Sequence, residues 1–212
     1  MAKPRFRRRK EDRPQEITAA ALDAFAEKGY SATRITDVAN RAGVSKGLLY
    51  LYFKTKEELF KAVIKSFVSP RVDALKAEIE STELTAEEYL RGPFLAFAKQ
   101  LPKSPARVLL RLMIAEGAKH PDLTDWYHRN VVSHGLAALR SLIERGVRDG
   151  EFRKSALQEF PHMVVTPVLF ATVWSLVFGD RADLNSGRFI EAQVDLLLRA
   201  IKADNTDEAG RP

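Results

Sequence analysis

The chain has 212 residues, 45% of them apolar and 29% charged, an ordinary globular balance that excludes a disordered or fibrous chain. It contains no cysteine, which removes disulfides, thiolate catalysis and zinc–thiolate or iron–sulfur centres and fits a reducing cytoplasm. Its net charge of +6 is unevenly placed, with 13 Lys+Arg against 6 Asp+Glu in residues 1–56 and 21 against 22 in residues 57–212, so the basic end points to a polyanion partner, nucleic acid above all.

Residues 1–12 are expected to be a disordered basic arm, and positions 5–13 hold five arginines and one lysine. The Arg7-Arg8-Arg9-Lys10 run is not an export signal, because the polar stretch EDRPQEIT follows it where an apolar segment is needed. Ile17, Ala20, Ala21, Ala24 and Phe25 then repeat at helical spacing, with Pro14 suited to the first turn and Gly29 to the end. A polar link over 30–35 leads to a short helix at 37–42, which Gly43 stops. Ser45 caps a second short helix over 46–53, and Thr55-Lys56-Glu57-Glu58 is a capping box opening a longer helix that Pro70 kinks or interrupts. Five further helices are expected, roughly at 85–101, 105–118, 121–149, 155–179 and 187–203, and strand signals are weak. The most apolar stretch, Met163 to Phe178, is shorter than the ~20 residues that span a bilayer and reads as a buried helix. The tail 204–212 is expected to be disordered. The reading is an all-α chain: a three-helix module at 13–56 and a larger helical domain at 57–203.

Within the module, TDVANRAGVSKGLLYLYF (36–53) places two short helices around a glycine-containing turn. Val38, Ala39, Val44 and Leu49 supply small apolar contacts between them, and Gly43 suits a positive φ. A helix fits the major groove of DNA and meets base edges with its N-terminal side chains. Its free N–H groups favour phosphate.

ITDVANRAGVSKGLLYLYFKTKEELF, together with AALDAFAEKGY before it, resembles the DNA-binding signature of the TetR/AcrR family of bacterial transcriptional regulators. Val38-Ala39, Ala42-Gly43-Val44-Ser45, Gly47, Tyr50, Tyr52-Phe53, Lys56-Glu57 and Leu59 carry the match, over about 50 of the 212 residues. The resemblance implies that Thr36 touches phosphate or a base edge. It implies that Ser45, Tyr50, Tyr52 and Lys56 hold the phosphate backbone, and that Lys46, Gly47, Leu48 and Leu51 face the bases. It also implies a homodimer on a palindromic double-stranded operator, repression relieved by an unidentified small-molecule effector, and no cofactor, metal or membrane partner.

For the helical domain, the resemblance implies an effector pocket, with Phe97, Met113, Trp126, Phe170 and Trp174 as apolar candidates and Glu116, His128, His134 and Thr172 as polar ones. The last two helices carry two apolar stripes, Phe160, Val164, Val168 and Ala171, and Ile190, Val194, Leu197, Leu198 and Ile201. On the family plan these pair with their symmetry mates; otherwise they belong to one monomer's core. A DNA-binding architectural or division-linked factor without an effector is the nearest rival function. An enzyme is the more distant one, since G-x-S-x-G, P-loop, G-x-G-x-x-G and H-E-x-x-H patterns are all missing.

Overall fold

The computed structural model describes residues 5–179 and 183–203, with side chains from residue 12 onward. They form twelve α-helices: α1 Arg5–Lys28, α2 Ile35–Arg41, α3 Lys46–Tyr52, α4 Lys56–Phe67, α5 Ser69–Ser81, α6 Ala86–Tyr89, α7 Leu95–Gln100, α8 Ala106–Glu116, α9 Pro121–Tyr127, α10 Ser133–Arg148, α11 His162–Phe178 and α12 Ser186–Ile201. Wider π-type turns at Leu90–Phe94 and His128–Val132 continue α6 into α7 and α9 into α10. This explains why the sequence reads as single helices over 85–101 and 121–149. No strand forms among the described residues; an isolated bridge joins Phe152 to Lys202.

Several expected boundaries move. Residues 5–12, expected as part of a disordered arm, are the first turns of α1, and Pro14 therefore lies inside the helix rather than at its start. A proline there removes one bond from the i→i−4 ladder. Pro70 sits in the first turn of a separate helix, α5, where its missing N–H leaves no intrahelical bond unmade. Residues 155–161, expected to open the helix over 155–179, are turns and irregular backbone ahead of α11. The expected tail 204–212 lies outside the described residues.

The chain divides into two compact units, residues 1–71 with 108–128, and residues 72–107 with 129–212. By contacts, α4, most of α8 and α9 group with the three N-terminal helices, whereas the expected sequence boundary lay at 57. In the first unit, Ile17, Ala21, Ala24 and Phe25 of α1 are buried, as are Leu59, Phe60, Val63 and Ile64 of α4. Phe25, Tyr30 and Phe60 meet with centroids 5.0–5.6 Å apart, two of the three pairs edge-to-face. In the second unit, one core gathers Tyr89, Leu90 and Phe94, Leu139 and Leu142 of α10, Val164, Val168 and Ala171 of α11, and Ile190, Val194, Leu198 and Ile201 of α12. The Glu151 carboxylate accepts from the Ala86 and Glu87 amides at 3.0 and 2.9 Å, closing the start of α6 with negative charge.

Candidate DNA interface and the face of the last two helices

α2 and α3 meet at Ala42-Gly43, and Gly43 has a φ of +64°, which side-chain-bearing residues rarely adopt. The Ser45 hydroxyl accepts the Leu48 N–H at 3.1 Å and starts α3. Leu49 is fully buried and fixes which side of α3 faces inward. Lys46, Gly47, Tyr50 and Leu51 are exposed, as are Thr36 and Ser45; Leu48 and Tyr52 are half-buried. The Lys46 ammonium lies 5.8 Å from the Tyr50 ring centroid, which orients the lysine along the outer surface of the helix. Thr55 and Glu58 form the expected box in a shifted form: Thr55 Oγ1 accepts the Glu58 N–H, and the Glu58 carboxylate accepts the N–H of Lys54 rather than that of Thr55.

Lys56 departs from its expected role of holding phosphate. Its ammonium donates to the carbonyls of Tyr30, Ser31 and Thr33 at 2.9, 3.0 and 3.1 Å and sits 4.6 Å from the Tyr30 ring centroid. An ammonium has three donors, and all three are used. Partial burial pulls its pKa below the usual lysine value, with the charge of Glu116 acting in the opposite sense.

Glu116, expected as a pocket group, grips the other side of the same turn. Its carboxylate accepts the Tyr30 and Ser31 amides at 2.6 and 2.7 Å, while His120 Nε2 shares a 3.1 Å hydrogen bond with the Ser31 hydroxyl and stacks edge-on against Tyr30. Burial raises the Glu116 pKa, but the Ser31 hydroxyl, the two amides and His120 outweigh it and leave the carboxyl below its ordinary range. The α1–α2 turn is therefore held by its carbonyls from α4 and by its amides from the end of α8. The only sequence signal for this was an acid at a helix end, with nothing to say which amides it would meet.

The other expected pocket residues do not gather in one unit. Met113, Trp126 and His128 lie in the first, and the Trp126 ring has Lys61 and Lys65 ammonium groups 5.6 and 5.8 Å from its centroid. Phe97, His134, Phe170, Thr172 and Trp174 lie in the second. Phe97 packs against the core and His134 is exposed. The buried Thr172 hydroxyl donates to the Val168 carbonyl of its own helix at 2.7 Å and is thereby satisfied. Phe170 and Trp174 stack with Phe189 and Phe178, at centroid distances of 4.5–5.6 Å.

The expected dimer stripe is corrected as well. Val164, Val168, Ala171, Ile190, Val194, Leu198 and Ile201 are buried in the core of their own unit, and Leu197 is half-buried against it. Periodicity finds an apolar stripe but does not say what covers it. Phe160, at 48% exposure, is left outside, and α11 exposes a second apolar set, including Met163, Phe170, Val173 and Val177, with Leu196 beside it on α12. Between α11 and α12 runs an open groove of about 690 Å³ lined by Met163, Pro167, Phe170, Phe189 and Leu197 among others. No helix among the described residues is long and apolar enough to cross a membrane.

Residues 17–63 match the family model for bacterial regulatory proteins of the tetR family, and residues 85–197 match that of the tetracyclin repressor-like C-terminal domain. The chain is 25% identical to a fatty acid metabolism regulator protein of Bacillus subtilis over 175 residues, 81% of this chain and 88% of that one. It is 28% identical to the HTH-type transcriptional repressor KstR2 of Mycolicibacterium smegmatis over 142 residues, 66% and 68% of the two chains. Among solved structures, the Bacillus subtilis transcriptional regulator FadR in complex with stearoyl-CoA superposes with a TM-score of 0.73 at 21% identity, covering 87% of this chain and 97% of that one.

Proposed function

The chain belongs to the tetR family of bacterial regulatory proteins and is a DNA-binding transcriptional regulator, and on that premise we propose that it is a dimeric cytoplasmic repressor released from a palindromic operator by a small molecule. The observation that carries this reading is the surface of α3: a two-turn helix with Leu49 fully buried at its inner face and Lys46, Gly47, Tyr50 and Leu51 turned outward. The exposure of Thr36 and Ser45 at the starts of α2 and α3 supports phosphate contacts there. The exposed set on α11 and α12 supports a homodimer, because a soluble chain rarely leaves such a continuous apolar face open to water. The fatty acid regulators among its relatives make a long-chain acyl compound the first effector class to test.

Selection of bound fragments from randomised duplex DNA, at near-physiological salt, tests the reading. A palindromic half-site pair is the expected product. Recovery without sequence preference, lost steeply as salt rises, would instead favour an architectural factor held by charge alone.

The basic start of α1 adds a second expectation. Deleting residues 1–12 removes Lys3, Arg5, Arg7, Arg8, Arg9 and Lys10 while leaving the apolar stripe from Ile17 intact. Every phosphate that the shortened protein no longer neutralises flattens the slope of log K against log salt by about 0.9. An unchanged slope in the truncated protein removes this segment from the DNA interface.

A further inference from the structure

The line of α3 that points straight out of the module carries no hydrogen-bonding side chain. With Leu49 buried at the inner face, a helix of 3.6 residues per turn puts Gly47 and Leu51 each about 160° away, on the opposite side. Leu51 is 72% exposed, more than any other large apolar side chain described, and a Cβ built on Gly47 would meet nothing nearer than Ser45 Oγ at 4.0 Å. Lys46 and Tyr50 lie to one side of this line and Leu48 to the other. The surface nearest a groove floor is thus a hydrogen atom followed, one turn later, by an isobutyl group.

Base edges in the major groove present donors, acceptors and a single apolar feature, the C5 methyl group of a pyrimidine. An isobutyl group satisfies no donor or acceptor, and a polar edge covered by it loses water without gaining a partner. Resting on the reading of α3 as the recognition helix, we propose that Leu51 reads the C5 methyl of one pyrimidine per half-site, with Gly47 providing the clearance that lets the leucine approach. Thymine carries that methyl in ordinary DNA and 5-methylcytosine in methylated DNA. Lys46, on the flank, meets a neighbouring base or phosphate and does not share this task.

The experiment starts from the half-site recovered by selection. Each thymine is replaced in turn, in both half-sites, by deoxyuridine, which pairs with adenine identically and lacks only the methyl. At one position the unchanged protein loses about tenfold in affinity, the product of about three- to fourfold per methyl in each half-site. Leu51→Ala loses less than twofold at that position. Its exposed site and the high helix propensity of alanine keep the fold, which circular dichroism verifies. At the same position 5-methylcytosine binds the unchanged protein more tightly than cytosine does, and Leu51→Ala does not distinguish them. Repeating the selection with Leu51→Gln moves the preferred base there to adenine, which an amide contacts through N6 and N7. Uracil replacements that are neutral at every thymine, an equal loss in Leu51→Ala, or no difference between cytosine and its methylated form each overturn the assignment to Leu51 while leaving sequence-specific binding in place. A selection that yields no preferred sequence overturns the recognition-helix reading, and this one with it.

Discussion

A chain carrying Phe170→Arg and Val177→Arg sediments at the mass of one protomer at micromolar concentration and binds the selected operator at least about a hundredfold more weakly than the unchanged chain. Both residues are outside the core, at 45% and 66% exposure, so neither substitution opens a core cavity and circular dichroism is expected to show an intact helical fold; the thermal midpoint falls modestly, because Phe170 gives up its ring contacts with Trp174 and Phe189 and the dimer no longer adds to stability. In the proposed dimer the arginines block the meeting of two copies of this face, since each charge would be buried opposite its own symmetry mate. The loss on DNA follows from valence. A dimer gains its second half-site at high effective concentration, and a monomer must bind that half-site as an independent event. Substituting Val168 tests the contrary view, because it is buried within one protomer and its replacement should lower stability before it affects mass. A double-arginine variant that still sediments as a dimer would show that another surface holds the copies together.

The second large effect concerns Lys56. Lys56→Met leaves three carbonyls of the α1–α2 turn without their donor and is expected to cost about 2 kcal/mol of the stability of the first unit, in the range for hydrogen bonds to a charged group. Trp126 fluorescence in a Trp174→Phe background reports on that unit alone. A phosphate-binding lysine would behave in the opposite way: stability would stay, and the slope of log K against log salt would fall by about 1. Stability loss with an unchanged salt slope therefore supports the structural role, and the reverse pattern restores the phosphate role. Glu116 gives the same turn a dependence on pH. Because its carboxyl lies lower in the folded chain than in the unfolded one, its contribution is complete above the ordinary glutamate range. It is lost as pH falls through that range toward the depressed value. Glu116→Gln removes this acid-side component, so the stability curves of the two proteins should converge at low pH.

The helix-turn-helix was legible because its signals are local. Gly43, Ser45 and Thr55 act within a few residues of themselves, and the buried Val38, Ala39 and Leu49 follow helical spacing. Most of the helical spans were legible for the same reason, down to the long segments that the π-type turns keep continuous. What failed was long-range partnership. Lys56 and Tyr30 are 26 positions apart, and Glu116 and Tyr30 are 86 apart. No periodicity connects such pairs. The stripe on α11 failed for a related reason: the helix is apolar nearly all round, so its pattern contained two faces and did not say which one the core would take. The N-terminal arm misled through Pro14, which marks a first turn by preference and here stands well inside α1.

The first unit is assembled from two separated stretches of chain, 1–71 and 108–128, and this has a consequence for engineering. Regulators are readily imagined as modular, with a reading head that can be transplanted by joining two sequences at one seam. Here a single seam after α4 would strip the head of Glu116 and His120, leaving the Tyr30 and Ser31 amides and the Ser31 hydroxyl without the groups that now hold them. A functional chimera requires two seams, with α9 and most of α8 travelling alongside the head they brace.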